Sequence, residues 1–289
     1  MIKDAAYLKI LKTGPGTSVQ DLGRIGYSQF GVPYSGAMDK KAMTWVNHLL
    51  KNKVDDAVLE ISQPGFKAVF EAPTLICLAG AKADCTLNGK PAASFGLIPI
   101  QEGDTIEIGA FQQGSILYLG VKMGFQTAEI MESRSWYQGI TAESSAKKNT
   151  LIQYFTPQEI PSFTNSKAKW NTSGFETETF DVYPGPDWEL LDPKSQKVLS
   201  EGTFTISNLK NRMAIQLDEL IPTSLPEMAT APVFPGTVQL TSGGKLIALV
   251  RDAQVTGGYP RILQLPEESL SAFAQKRTNQ KIRFSFLKI

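Results

Sequence analysis

The sequence predicts a mainly β protein with few helices, organised as two barrel-like or sandwich-like units. Short runs rich in Val, Ile, Phe and Thr recur along the 289 residues and are separated by Gly, Pro, Asn and Asp. Only two segments show helical periodicity, at 39–50 and 266–275. A polar stretch rich in Ser, Thr and Asn at 162–178 predicts a link between domains spanning 1–165 and 175–289.

The predicted strands are short, and turn residues follow several of them. In the first half they are Tyr7–Leu11, Lys67–Phe70, Thr74–Leu78, Cys85–Leu87, Thr105–Ile108 and Ile116–Val121. In the second half they are Thr179–Tyr183, Thr203–Ile206, Met213–Leu217, Thr237–Leu240, Leu246–Val250, Arg261–Leu265 and Lys281–Leu287. Asn88-Gly89 predicts a tight hairpin, and Glu102-Gly103-Asp104 predicts a second turn.

The two predicted helices have recognisable first turns. Asp39 can cap the first helix, whose apolar residues then fall on one face (Ala42, Val46, Leu49 and Leu50). His48 falls away from that face and is predicted to be a boundary or surface residue. The second helix has Glu267 and Glu268 in its first turn, where the helix dipole favours acidic side chains.

Composition excludes several classes of function. Lys and Arg number 29 and Asp and Glu 28, so no charge excess favours nucleic acid or an anionic membrane. No apolar run approaches the 18 residues expected of a membrane-spanning helix. Cys77 and Cys85 form no disulfide framework, which favours a reduced, cytoplasmic setting. One histidine and two unpatterned cysteines argue against a zinc site, and a Ser-His-Asp triad would need His48, on a helix.

Residues 14–52 form the most informative stretch of the chain. Six glycines, two prolines and several apolar side chains accompany its acidic, basic and amide groups. Glycine adopts backbone shapes that other residues cannot, so this mixture is typical of an ordered, site-building loop rather than a solvated linker.

A second stretch of this kind is LIALVRDAQVTGGYPR, at 246–261. The apolar run Leu246–Val250 predicts a buried strand, and Asp252, Gln254 and Thr256 follow at its end, where a rigid element can hold a site. The alternative is a strand that ends in a surface turn, with Asp252 and Thr256 accepting from turn amides.

These stretches, with three shorter ones, resemble a known family. The matching segments are TSVQD-x-GR-x-G at 17–26, GVP-x-SGAMD at 31–39, PGP at 184–186, NRM at 211–213 and DAQ-x-TGGYPR at 252–261. Their order and spacing are similar to those of the C subunit of prokaryotic 5-oxoprolinase, also called the biotin-dependent carboxyltransferase family or allophanate hydrolase subunit 2. The resemblance covers nearly the whole chain.

The resemblance implies two carboxyltransferase subdomains, C-like and then D-like, with cyclophilin-like β-barrel architecture. It implies ATP-dependent opening of the 5-oxoproline lactam to glutamate, in complex with A-type and B-type subunits. Because no Gly-x-x-x-x-Gly-Lys-Ser/Thr cradle occurs, we expect a partner subunit to hold most of the ATP.

Two alternatives follow from other relatives. One is a carboxyltransferase subunit of a biotin-dependent urea or amide carboxylase, where biotin would arrive on a separate carrier chain. The other is a non-catalytic binding module that regulates a partner protein. Departures from the family pattern bear on this choice: ESRSW at 132–136 replaces Gly-Ser-x-Ser-Thr, Ala214-Ile215-Gln216 replaces Gly-Tyr-Arg, Arg251 replaces a small or amide residue, and Val255 replaces Thr.

The candidate site residues come from the matching stretches and from the altered 132–136 segment. We predict catalytic roles for Asp252, Gln254, Thr256 and Arg24, and substrate-binding roles for Gln20, Asp21, Tyr259, Arg134 and Asp39. Carboxylates can act as or orient a base, arginine can hold a carboxylate or phosphate in a fork, and amide or hydroxyl groups can bind a lactam. Asp39 is expected to serve chiefly as a helix cap. We expect the side chains of Gln20–Arg24 and Asp252–Tyr259 to lie within about 12 Å of one cavity.

We predict that the purified chain holds no transition metal tightly. The single histidine and the separated cysteines leave only carboxylates as ligands, which prefer Mg²⁺ or Ca²⁺. Elemental analysis checks this expectation, and stoichiometric zinc would contradict it.

Overall fold

The computed structural model describes residues 4–158, 170, 173–223, 225 and 228–288, and these are mainly β. Their contacts group the chain into two units, one of residues 1–23 and 35–172 and the other of residues 24–34 and 173–289. The prediction of a mainly β fold is confirmed. Most of the predicted link at 162–178 lies outside the described residues, so the boundaries 1–165 and 175–289 stay a prediction.

The first unit is one nine-stranded sheet with a helix. Its strands are β1 (Ala5–Lys12), β2 (Ser18–Gln20), β3 (Val58–Ile61), β4 (Phe66–Phe70), β5 (Thr74–Leu87), β6 (Lys90–Ala92), β7 (Gly96–Ile100), β8 (Thr105–Val121) and β9 (Leu151–Phe155). They pair antiparallel in the order β2-β3-β8-β4-β1-β9, and β5 pairs with β6, β7 and β8. Burial alternates along β1, which places Leu8 and Ile10 in the core and Lys9 in solvent.

In two places, a pair of separately predicted strands forms one long strand in the structure. Thr74–Leu78 and Cys85–Leu87 belong to β5, and Thr105–Ile108 and Ile116–Val121 belong to β8. The pairing of β5 with β8 shifts register several times between Gly80 and Cys85. Such bulges let the strands bend while they continue to pair, which short-range patterns do not reveal. The predicted Asn88-Gly89 hairpin joins β5 to β6 and is confirmed.

Helix α1 (Lys40–Leu50) packs on β5 and β8 and confirms the first predicted helix. The Asp39 carboxylate accepts from the Ala42 N–H at 2.9 Å, which satisfies one of the free amides of the first turn. Gly120 on β8 allows close packing, because a Cβ there would lie 2.3 Å from Val46 Cγ1. His48 is exposed, as predicted.

The second unit contains a closed barrel. The strands are β10 (Thr179–Pro184), β11 (Phe204–Lys210), β12 (Ala214–Leu220), β13 (Ala231–Pro232), β14 (Thr237–Leu240), β15 (Lys245–Leu249), β16 (Thr256–Gly257), β17 (Arg261–Gln264) and β18 (Lys281–Phe286). Seven of them close in the order β10-β17-β14-β15-β12-β11-β18, and β13 pairs with β16. Phe180 packs edge-on against Phe273 with ring centroids 5.4 Å apart, and both are buried.

The expectation of only two helices is wrong, because the described residues contain three. Helix α2 (Pro193–Glu201) is mostly polar and buries only Ser195 and Leu199, so its apolar periodicity is weak. A capping signal was nevertheless present. Asp192 accepts from the N–H groups of Lys194 and Ser195, and Pro193 occupies the first turn.

Helix α3 (Glu267–Ala274) confirms the second predicted helix. Its buried residues are Leu270, Ser271, Phe273 and Ala274. No helix in the described ranges is long and apolar enough to cross a membrane.

The Pro-Gly-Pro motif at 184–186 holds β10 against β17. A Cβ on Gly185 would lie 2.2 Å from the Arg261 carbonyl oxygen, so only glycine fits at this approach of two backbones. The Asp187 carboxylate accepts from the Arg261 N–H at 2.8 Å and from its Nε at 2.9 Å. Burial raises the pKa of Asp187, but the hydrogen bonds and charge of Arg261 outweigh it and hold that pKa below its ordinary value.

We predict that Gly185→Ala destabilises the second unit by about 2–4 kcal/mol, because the methyl group forces two backbones apart. Gly243→Ala is the control, since the nearest atom to its added Cβ, Thr241 Oγ1, lies at 3.9 Å. Urea unfolding measures both variants. Equal midpoints for the two would show that the backbones yield freely.

Candidate functional site

In the first unit, the Asp21 carboxylate is the acceptor of a dense hydrogen-bond cluster. Its Oδ1 accepts from the Gly23 N–H at 2.8 Å, the Ser133 hydroxyl at 2.7 Å and the Ser135 hydroxyl at 2.6 Å, and its Oδ2 accepts from the Arg134 N–H at 2.5 Å. We call these five residues the Asp21 cluster. Asp21 is 6% exposed, so both oxygens have partners where water is scarce. Its predicted substrate-binding role stays untested, while its contacts hold the 133–135 segment.

Gln20 extends the cluster on both sides. Its Nε2 donates to the Ser18 hydroxyl at 2.8 Å and to the Trp136 carbonyl at 3.3 Å, and its Oε1 accepts from the Gly36 N–H at 3.1 Å. One buried amide therefore links the end of β2 to two other segments of the first unit. Trp136, which replaces the threonine of the family pattern, is buried.

Four successive backbone N–H groups at 36–39 each have their own acceptor. Gly36 donates to Gln20 and Ala37 donates to the Asp21 carbonyl at 2.9 Å. Met38 donates to Glu60 Oε2 and Asp39 to the Tyr118 hydroxyl, both at 2.8 Å. These amides are engaged within the unit and do not form an open phosphate cradle.

Glu60 and Tyr118 are buried polar residues that sequence patterns did not single out. The Tyr118 hydroxyl donates to Glu60 Oε2 at 2.6 Å, beneath the start of α1. Burial, followed by the charges of Glu60 and Asp39, raises the pKa of Tyr118 well above its ordinary value, so the phenol stays protonated. Both residues lie within strands, where an isolated polar residue in an apolar run gives no positional signal.

Arg134 is half-buried and is held by its own neighbourhood. Its Nη1 donates to the Thr127 carbonyl, and its Nη2 lies 3.3 Å from a carboxylate oxygen of Glu129. The guanidinium is thus already oriented by a carbonyl and an acid. Its predicted role in substrate binding stays a prediction.

In the second unit, Asp252 forms a two-point ion pair with Arg212. Nε donates to Oδ2 at 2.8 Å and Nη2 to Oδ1 at 2.9 Å, and the Asp252 N–H donates to the Arg212 carbonyl at 2.7 Å. Paired geometry of this kind is stronger and more directional than a single contact. It fixes the end of the 246–250 run, and it favours an orienting role over that of a free base.

Arg251, which departs from the family pattern, is also paired. Its guanidinium donates to both carboxylate oxygens of Glu267 in the first turn of α3, with Nη1 to Oε2 at 3.0 Å. Arg251 is 3% exposed. The substitution thus adds a connection from the end of β15 to α3 within the second unit.

The remaining candidates of the second unit differ in exposure. Gln254 and Thr256 are exposed and Tyr259 is half-buried, whereas Arg24 is buried. The Arg24 N–H donates to the Tyr34 carbonyl at 2.6 Å, inside the 24–34 segment that groups with this unit. The expectation that the two motif stretches share a cavity stays a prediction.

Burial makes the two cysteines poor nucleophiles. Burial raises the pKa of the Cys77 thiol to about 12, and burial followed by the charge of Asp84 raises the pKa of Cys85 to about 12. At neutral pH both are protonated, so they serve as small buried side chains. In the described part of the chain, no three His, Cys, Asp or Glu side chains group as a metal site.

The sequence matches the family described as the carboxyltransferase domain, subdomain A and B, over residues 30–286. The chain belongs to this family.

The relatives that this chain resembles differ in sequence identity and in how much of each protein is aligned. The chain is 28% identical to the C subunit of 5-oxoprolinase from Escherichia coli (strain K12) over 283 residues, covering 96% of this chain and 90% of the relative. It is 26% identical to the protein of that name from Haemophilus influenzae, with the same coverage. With urea amidolyase of Lachancea kluyveri it shares 36% identity over 128 residues, which is 43% of this chain and 7% of the relative.

Two solved structures share the fold of this chain. The Kluyveromyces lactis urea amidolyase structure superposes with a TM-score of 0.84 at 22% identity, over 100% of this chain and 19% of that one. A crystal structure of TTHA0988 superposes with a TM-score of 0.85 at 19% identity, over 98% of this chain and 57% of that one. The chain therefore spans only part of each of these longer proteins.

We predict that Asp21→Asn destabilises the first unit by about 2–3 kcal/mol. Asparagine keeps the shape but turns one acceptor into a donor, which then faces an N–H or a hydroxyl of the cluster. Hydrogen exchange at 133–136 should rise along with the loss of stability. The control is Asp55→Asn, at an exposed aspartate of the same unit. Matching stabilities of the two variants would remove Asp21 as the anchor.

Proposed function

We propose that this chain is the C-type subunit of an ATP-dependent 5-oxoprolinase complex, which opens the 5-oxoproline lactam to glutamate with A-type and B-type subunits. The observation that carries the proposal is coverage. Two relatives, each named as the C subunit of 5-oxoprolinase, align with 96% of this chain and 90% of their own length. The aligned region therefore includes both units and all the motif stretches, and it takes up most of each relative's length.

ATP is proposed to bind mainly to a partner subunit. The assembled complex is proposed to work in the cytoplasm. The lactam is stabilised by resonance, and phosphorylation of its oxygen would make that oxygen a leaving group. The engaged amides at 36–39 do not fit a triphosphate, and Gly23 likewise donates to Asp21. These contacts support placing the nucleotide elsewhere in the complex.

In this proposal the chain's own residues hold the substrate. The exposed Gln254 and Thr256 would donate to and accept from the lactam amide, and Tyr259 would contact its ring. Asp252, oriented by Arg212, would fix the start of this segment. Arg24, which groups with the second unit, is the candidate for the substrate carboxylate. The residues of the first unit stay predicted substrate-binding residues: Gln20, Asp21, Asp39 and Arg134.

A second candidate function is carboxyl transfer to urea or an amide. Its specific support is the 36% identity with urea amidolyase over 128 residues, higher than the 28% identity with the C subunit of the Escherichia coli 5-oxoprolinase. Biotin would then be delivered by a separate carrier chain. The match covers 7% of that relative, however, so it leaves the rest of the assembly unspecified.

We predict that the isolated chain does not turn over 5-oxoproline, and that ATP-dependent glutamate formation appears when the A-type and B-type partners are added. Asp252→Asn in the complete complex should lower kcat/KM at least about tenfold, or about 1.4 kcal/mol, because the ion pair that orients this segment is weakened. Glu219→Gln is the control: Glu219 accepts from the Thr205 N–H and hydroxyl in the same unit, and neither residue belongs to a motif stretch.

The outcomes separate the alternatives. Full activity of the Asp252→Asn complex would remove Asp252 from the machinery. No turnover by the wild-type complex, with carboxylation of urea when a carrier bearing carboxybiotin is supplied as the carboxyl donor, would favour the carboxyltransferase. Failure of both reactions, with stable partner binding, would favour a regulatory binding module.

A further inference from the structure

Gly257 is a glycine for reasons of space rather than backbone conformation. It lies on β16, and it is absent from the residues with positive φ, so alanine could adopt its backbone shape. A Cβ at this position, however, would lie 2.5 Å from Nε2 of Gln239. The glycine therefore makes room for one particular side chain.

Gln239 is buried in the barrel wall, with 1% of its surface exposed. It lies on β14, and the pairing of β14 with β17 shifts register between Val238 and Gln239. Such a bulge redirects a side chain and is frequent beside functional sites. The Gln239 Nε2 donates to the Tyr259 carbonyl at 3.3 Å, so one buried amide contacts both ends of the 257–259 turn.

We propose that Gln239 is a positioning residue for the segment Gln254–Tyr259. This inference rests on the proposed function, in which that segment holds the substrate. Its backbone is otherwise held by the stretch 228–233, which lies outside the closed barrel: β16 pairs with β13, the Met228 N–H donates to the Gly258 carbonyl at 2.9 Å, and the Val233 N–H donates to the Val255 carbonyl at 3.0 Å. A contact from the rigid barrel to its turn would hold Thr256 and Tyr259 in place, and a displacement of about 1 Å at such a position can reduce a rate about 100-fold.

The barrel supplies a matched control in Gln264. Its Nε2 donates to the Pro235 carbonyl at 3.1 Å, and a Cβ on Gly236 would lie 2.5 Å from that same nitrogen. The arrangement is similar, a glutamine amide against a glycine turn, although Gln264 is half-buried and also bonds the Thr237 hydroxyl and the Leu265 carbonyl. The turn held by Gln264, at 234–237, contains none of the candidate site residues.

The first test compares kinetics of the complete complex. Gln239→Ala and Gly257→Ala should each lower kcat/KM about tenfold, the second because the new methyl group displaces the Gln239 amide. The double variant should be no worse than either single one, since both changes remove one contact. Gln264→Ala removes more hydrogen bonds, so it should lose at least as much thermal stability as Gln239→Ala but keep activity within about twofold. Additive losses, or equal activity losses for Gln239→Ala and Gln264→Ala, would overturn the positioning role.

A second measurement does not depend on the reaction. Hydrogen exchange of the isolated chain should rise at 256–259 in Gln239→Ala and at 234–237 in Gln264→Ala. Unchanged exchange at 256–259 would overturn the inference even if the complex is active. If the wild-type complex shows no turnover but exchange rises as expected, the proposed function fails and the contact from Gln239 to the turn stands.

Discussion

The first unit depends on one buried carboxylate. Asp21 gathers two backbone N–H groups and two hydroxyls, and three of the four donors come from 133–135, more than a hundred residues along the chain. Hydrogen bonds to a charged acceptor are each worth about 1.5–3 kcal/mol, and an unsatisfied donor left behind costs a comparable amount. Cluster members are therefore coupled to one another. Within the ESRSW segment, Ser133 and Ser135 are the two side chains that donate to this carboxylate.

The second unit uses charge in a different way, through pairs in which arginine meets a carboxylate at two points. Arg212 with Asp252, Arg251 with Glu267 and Arg261 with Asp187 each connect a barrel strand or its end to another segment. Two of these pairs involve residues that sequence reasoning assigned to chemistry or to a departure from the family. Their geometry shows that motif residues also build the scaffold. A motif of this family thus combines groups exposed on the surface of the unit, such as Gln254 and Thr256, with groups that hold the backbone beneath them.

Much of the fold could be predicted because its signals are local. Both predicted helices exist, with their apolar faces buried except for the half-buried Leu49, each predicted strand overlaps an observed one, and Asn88-Gly89 makes the tight hairpin. The failures have physical causes. Helix α2 buries only two residues, so its pattern is faint although its Asp-Pro start was readable. Strands β2, β13 and β16 have only two or three residues, and β5 and β8 continue through bulges that interrupt their periodicity.

The amino-acid sequence by itself determined the mainly β class, the family, the residue types available for chemistry and the glycines at special positions. These follow from composition, from periodicity and from motifs that are contiguous in the chain. Only the tertiary structure decided which acceptor each donor meets. Glu60 with Tyr118, Asp21 with Ser133 and Ser135, and Gln239 with Gly257 are separated by 18 to 114 residues, and no local pattern encodes such pairings. They arise because strand register and β-bulges set the direction in which each side chain points. That direction depends on how the whole unit packs.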